Sequence, residues 1–325
     1  MQLTPSRILI TGASGFVGRH LLRQCRQAYP QAHLYGLFRR FVASSVELDG
    51  LHPLLGDLCT FHDTHQAVKQ AQPDMVFHLA AQPSVAQSWQ DPVGTLRVNA
   101  EGFLHLLEAL RVEHLAPRIL CVGSSEQYGL VSPEENPISE QQPFRPLNPY
   151  AISKVTQDLS GYQYFVAYQM PIIRVRAFNH FGPGQAESFV IANFARQIAL
   201  MEKGLVEPVL VVGNLSARRD FSSVEDIVRA YIALVNAGHV GEAYNVGSGK
   251  AYSIGEIVQF LCKQTQVEIS IREDRSRLRP NDQGVAIADI TRIRSDTGWA
   301  PVQDIETAIQ CVLDYWRASV KQSSK

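Results

Sequence analysis

The chain has 325 residues, 45% of them hydrophobic and 19% charged, enough apolar mass for one large or two medium globular domains. A formal net charge of −1 excludes the global field that nucleic acid or an anionic membrane surface would select, and no stretch is long enough to span a bilayer. Five scattered cysteines (Cys25, Cys59, Cys121, Cys262, Cys311) without C-x-x-C spacing, and ten histidines without an H-x-x-x-H pair, exclude a disulfide framework and supply no metal-ligand pattern.

The first element is Arg7 to Gly18, RILITGASGFVG. Ile8, Leu9 and Ile10 read as a buried parallel strand. Gly12, Gly15 and Gly18 follow at three-residue spacing, and Phe16, Val17, Leu21 and Leu22 begin a helical periodicity. A strand, a glycine turn and a helix start form an anion site, because residues without a Cβ let a pyrophosphate reach backbone N–H groups. The spacing G-x-x-G-x-x-G differs from the general dinucleotide fingerprint G-x-G-x-x-G. Further strands are expected at His33–Leu37, Pro53–Leu55, Met75–His78, Ile119–Val122 and Ile172–Val175. Helices are expected at Phe61–Ala71, from Pro92 to about Arg111 behind an Asp91 cap, and from Pro149 to about Ala167. The alternation predicts an α/β fold: a Rossmann-type, doubly wound parallel sheet, with ligands beyond the carboxyl ends of its strands.

From Asn179 the alternation loosens, with Gly182-Pro183-Gly184, Pro208 and Gly213. Helices at Val224–Val235 and Ile254–Gln264 and strands at Ala243–Val246 and Ile269–Ile271 then return. The expectation is a dinucleotide-binding domain of residues 1–177 and 219–246 and a smaller α/β substrate domain of residues 178–218 and 247–325. The start of the chain lacks the apolar core of a leader peptide, so a cytoplasmic protein is expected.

The end of the second strand carries Arg39 and Arg40, where nicotinamide-binding folds read the adenosine ribose. A guanidinium there suits a 2′-phosphate, so NADPH is the expected cofactor, with NADH as the alternative. Asp57 is placed either to accept from the adenine amino group or to shape a turn. Tyr150 and Lys154 form Y-x-x-x-K on one helix face, and Ser124 stands at the end of the fifth strand. A lysine cation one turn away is expected to lower the phenol pKa, and a serine hydroxyl can hold a substrate oxygen beside it.

HLAAQ (His78–Gln82), SSEQYG (Ser124–Gly129), NPYAISK (Asn148–Lys154) and FNHFGPGQ (Phe178–Gln185) resemble the extended short-chain dehydrogenases/reductases that act on nucleotide sugars. RRDFSSVEDIV (Arg218–Val228), YNVGSG (Tyr244–Gly249) and LRP (Leu278–Pro280) extend the resemblance over nearly the whole chain. Within the family the wording is most similar to reductases of GDP-4-keto-6-deoxy-D-mannose, with GDP-mannose 4,6-dehydratases next. The resemblance implies catalytic roles for Ser124, Tyr150 and Lys154, and contact with a substrate diphosphate for Asn179, Arg219 and Arg279. It implies a cofactor wall of Gly12, Gly15, Phe16, Val17, Gly18, Arg39, Arg40, Asp57, Leu58, Leu79, Ala80 and Ala81. Ser84, Ser125 and Val190 are expected along the substrate. Asp282 stands where the family often has a ribose-binding Glu, one methylene longer. A homodimer through the two long helices is also implied, using Leu159, Tyr162, Phe165 and Val166.

Glu126 pulls the reading two ways. Dehydratases of the family carry at this position the glutamate that abstracts the C5 proton. Against that, the chain reads GSSE rather than STSE, lacks a long basic loop after Arg40, and has FNHFGPGQ in place of FNHESP. The expected reaction is reduction of a GDP-linked 4-keto-6-deoxy sugar to GDP-D-rhamnose. A 4,6-dehydratase, a 4-epimerase and a non-catalytic dinucleotide sensor are the alternatives.

Overall fold

The computed structural model describes residues 3–39, 50–274 and 285–320. The first half supplies strands β1 (Arg7–Thr11), β2 (His33–Phe38), β3 (Leu51–Leu55), β4 (Met75–His78), β5 (Arg118–Val122) and β6 (Ile172–Ala177). Between them lie helices α1 (Phe16–Ala28), α2 (Phe61–Ala71), α3 (Val85–Gln90), α4 (Pro92–Leu96), α5 (Gly102–Val112) and α6 (Pro149–Tyr168). The second half contributes β7 (Asn179–Phe181), α7 (Val190–Glu202), β8 (Val209–Val212), β9 (Arg218–Ser223), α8 (Val224–Ala237) and β10 (Ala243–Val246). It closes with β11 (Ala251–Ser253), α9 (Ile254–Cys262), β12 (Ser270–Glu273), α10 (Thr291–Thr297) and α11 (Ile305–Ser319).

Among the described residues, seven strands join in one sheet in the order β10-β6-β5-β4-β1-β2-β3, every pair parallel. The strands alternate strictly between faces, as a pleat requires. Ile8, Ile10, Phe77, Leu120 and Ile173 pack on one side under α1 and α8, while Leu9, Val76, Ile119 and Ile172 pack on the other under α2, α5 and α6. Each such fully buried side chain contributes roughly 1.5–3 kcal/mol of transfer free energy. The strand order reverses between β1 and β4, which opens a crevice beyond their carboxyl ends.

The other core lies among α7, α9 and α11, the β8–β12 pair and the β11-β9-β7 sheet. β9 pairs with β7 and β11, outside the large sheet, although the expected return to that sheet began at residue 219. The first element packed back against the large sheet is α8.

Two local expectations are corrected. The third strand begins at Leu51, because its first two residues pair with β2 despite the polar His52. The helix from Pro92 is not uniform: α4 and α5 are joined by a five-residue π-helical segment, Arg97–Glu101, which apolar periodicity does not reveal. Phe165, expected on a dimer face, is half-buried, with its ring close to Gly241 of the same chain.

Candidate active site

At the end of β1 the chain turns through Gly12, at φ +74°. A Cβ there would sit 2.8 Å from the Ala80 backbone nitrogen at the end of β4, so only glycine lets the two strand ends approach. Gly15 N donates to Gly12 O at 3.0 Å, and Gly15 caps α1 without a side-chain acceptor. The first N–H groups of α1 therefore face the crevice with no side-chain cap, a cradle for a diphosphate.

The crevice continues as a cleft of about 1060 Å³. One wall carries Gly12, Gly15, Phe16, Val17 and Gly18, then Arg39, Asp57 and Leu58, then Leu79, Ala80 and Ala81. The described residues of the expected cofactor wall thus lie together. Asp57 does shape a turn, its carboxylate accepting from Cys59 N at 2.9 Å. Arg40, Arg279 and Asp282 lie outside the described residues. The facing wall carries Ser84, Ser125, Asn179, Val190 and Arg219. Gln185, Glu187, Ser188, Phe189 and Asn214, in short loop segments that carry no periodic signal, also line it without having been expected there, as does Asn193 in the first turn of α7.

Ser124, Glu126 and Tyr150 lie where the walls meet. Ser124 lies two residues beyond the end of β5 and caps a short 3-10 turn (Ser125–Tyr128), its hydroxyl accepting from Glu126 N at 3.2 Å. Its own N–H donates to Gln127 Oε1 at 2.9 Å. Asn148 caps α6, accepting from Ala151 N at 2.8 Å, and Pro149 occupies the first helical position. The same Asn148 donates to Glu126 Oε2 at 3.1 Å, tying the carboxylate to the helix that carries Tyr150.

Burial pushes the Tyr150 phenol up to about 12, although its hydrogen bond with Ser124 works the other way, and the Glu126 charge adds to the rise. Burial lowers Lys154 to about 8. Lys154 donates to Val122 O and Gln157 Oε1, both at 2.8 Å, and lies behind the cleft lining rather than on it. This corrects the expectation that Lys154 depresses the phenol: in this structure the desolvation of Tyr150 dominates.

Two residues missed in the sequence hold the site in place. Asn99, fully buried in the π segment, donates to Ser153 Oγ at 2.9 Å and accepts from Gln82 N at 2.7 Å. Ser153 in turn donates to Tyr150 O at 2.6 Å, so Asn99 joins the end of β4 to the helix turn bearing the phenol. A lone Asn inside an apolar helix was the available signal. On the facing wall, the buried Asp220 beside Arg219 accepts from Ser248 N, Ser248 Oγ, Gly249 N and Ala288 N at 2.6–3.0 Å. Burial raises its pKa, and these donors oppose that rise.

A parallel sheet reversed at a glycine turn, with Ser124 and Tyr150 together beyond its strand ends and Lys154 behind them, defines a dinucleotide-dependent oxidoreductase of the short-chain dehydrogenase type. The chain belongs to the extended, nucleotide-sugar branch of that class, in the family described as GDP-mannose 4,6 dehydratase, whose model matches residues 9–312. It is 35% identical over 322 residues to GDP-6-deoxy-D-mannose reductase of Pseudomonas aeruginosa, covering 97% of this chain and 99% of the relative. A GDP-mannose 4,6-dehydratase of Yersinia enterocolitica is 29% identical, with 92% and 91% covered. A solved structure described as RMD from Pseudomonas aeruginosa complexed with NADPH superimposes with a TM-score of 0.85 at 34% identity, covering 97% of this chain and 100% of that one.

Among the described residues no group of His, Cys, Asp and Glu could hold a metal, and no helix is long and apolar enough to cross a membrane.

Proposed function

We propose that the protein reduces the C4 ketone of GDP-4-keto-6-deoxy-D-mannose to GDP-D-rhamnose, with NADPH as the reductant. The carrying observation is that Ser124 and Tyr150 line one cleft together, with the Gly12 turn on one wall and Arg219 on the other. The residues fit the cofactor: glycines that admit a diphosphate, an uncapped helix start, and the Arg39 guanidinium at the end of β2. When bound there, the reduced nicotinamide supplies a hydride to the ketone carbon.

The chain's own residues handle the oxygen. A phenol held up to about 12 stays protonated at neutral pH, so Tyr150 has a proton to give to the C4 oxygen as negative charge develops. The Ser124 hydroxyl orients that oxygen and polarises the ketone. Lys154, one helical turn from Tyr150, ties the helix that carries the phenol to the end of β5 through Val122 O. Arg219 and Asn179 grip the doubly anionic linker of the substrate.

Supplied with the 4-keto-6-deoxy sugar, the protein should oxidise one NADPH per sugar, and NMR of the product should show the rhamno configuration. Conversion of GDP-mannose without net NADPH loss would instead make the protein a dehydratase with Glu126 as base, since Glu126 lies in the same cleft. The protein is further proposed to act in the cytoplasm, its described cysteines all being free thiols. A homodimer is proposed through the α5 and α6 faces. Ile152, Leu159 and Val166 recur every seven residues along α6 and are 46%, 51% and 53% exposed, an apolar stripe that needs a partner. A monomer mass by light scattering at micromolar concentration would remove the dimer.

A further inference from the structure

A buried histidine joins the two walls of the cleft at a point away from the reacting groups. His20 lies one turn beyond Phe16 on α1 and is 4% exposed. Its Nδ1 is 2.6 Å from Glu225 Oε1 in the first turn of α8. Its Nε2 is 2.9 Å from the carbonyl oxygen of Pro183, in the loop Gly182–Gln185 that follows β7. A carbonyl and an ionised carboxylate can only accept. A neutral imidazole carries one N–H and can serve only one of them, so both bonds together require hydrogen on both ring nitrogens. The imidazole beside Glu225 holds that carboxyl below its ordinary range, with Arg23 adding to the effect, so Glu225 is the acceptor.

The loop is seated closely on the same helices. A Cβ on Gly182 would run into the Val224 side chain and come within 3.5 Å of the Phe16 ring, so glycine lets the loop lie flush. Gln185 Nε2 donates to His180 O at 3.0 Å, and both residues line the cleft. The His180 ring lies parallel to Phe16, with centroids 6.3 Å apart. Phe16 also meets the His20 ring edge-on at 5.4 Å. The charged and titratable neighbours of the latch are few. α8 brings Glu225, while Asp226 beside it pairs with Arg229. α1 brings Arg23. β7 brings His180, which burial holds below its usual range and whose Nδ1 faces Phe178 O. The loop itself, Gly-Pro-Gly-Gln, brings none.

We propose that His20 is a positioning residue: as an imidazolium it clamps the 182–185 loop and α8 to α1, and so fixes the spacing between the cofactor wall and the substrate wall. The kinetic part of its test rests on the sugar reduction proposed above; the spectroscopic part does not.

Nitrogen NMR of the full-length protein with NADPH bound should show hydrogen on both His20 ring nitrogens. A neutral ring there overturns the proposal whether or not the protein reduces the sugar. In kinetics, His20→Gln, which removes the cation and one of the two contacts, should lower kcat/KM for the sugar about tenfold, the scale of a lost charge-assisted hydrogen bond, and keep NADPH affinity. Glu225→Gln keeps an acceptor in place but removes its charge, and should lower kcat/KM for the sugar by less, again with NADPH affinity kept. Because Glu225 is half-exposed, this second variant tests the contact even if His20→Gln does not fold. Kinetic constants of the variants that match the parent's would overturn the proposal.

Discussion

The two walls of the cleft are built by different means. The cofactor wall is mostly backbone: the Gly12 turn, the start of α1, and residues 79–81 following β4. Those atoms are placed by the parallel ladders of β1 with β2 and β4, whatever side chains the neighbouring positions carry. The substrate wall is mostly side chain: Asn179, Phe189 and Arg219 project from short elements and loops. Each needs its own support, as Arg219 needs the Asp220 carboxylate that gathers residues 248, 249 and 288 around β9. A backbone-built wall tolerates side-chain change but not change at its glycines. A side-chain-built wall can be re-specified by single substitutions.

Substitutions can break or sharpen this contrast. The largest effect is expected at the junction of the walls. Tyr150→Phe keeps the ring and removes the proton donor, so turnover should fall by at least ~100-fold with NADPH binding retained. A variant within a few-fold of the parent would show that another group is the acid. Next, Arg219→Ala should raise the substrate KM roughly ten- to a hundredfold and leave the cofactor KM alone. If steady-state kinetics show both constants rising together, the two walls are not separable. On the cofactor side, Gly12→Ala forces a Cβ into a left-handed turn, at about 1–2 kcal/mol, so NADPH affinity should drop roughly five- to thirtyfold by titration. Arg39→Ala should matter least, reducing the preference for NADPH over NADH about tenfold and less at high salt. Intact NADPH binding in Gly12→Ala with none in Arg39→Ala would reverse the contrast.

The same contrast explains what the sequence disclosed. The backbone-built half was legible because buried parallel strands read as apolar runs and the glycines fall at fixed spacing; α2 and β4 lie where periodicity puts them. The fold, the glycine turn and the Ser124–Tyr150 pair followed from that. The substrate half was read mainly through its motif words. β7 and β11 have three residues each, too few to show alternation, and α7 was passed over behind the proline- and glycine-rich run. Side-chain direction was the other gap. Spacing put Lys154 on the Tyr150 face, but the backbone carbonyl of Val122 and Gln157 draw its ammonium beneath the site. Asn99 was hidden because a π segment shifts helix register without disturbing the apolar count.

β10 bears on how this protein can be made. Among the described residues it pairs only with β6, and the chain reaches it after passing through β7, α7, β8, β9 and α8. Until the ribosome has delivered Ala243–Val246, β6 is an edge strand whose six residues are all destined for burial, Ile172 to Ala177. That edge would carry Arg174 and Arg176 among its apolar residues, both paired with Asp158 of α6, and charges of this kind oppose edge-to-edge association. A product that stops before residue 243 lacks the strand that covers β6 in the folded chain. The two halves are not simple consecutive cassettes either, because the last strand of the large sheet is encoded between segments of the other half.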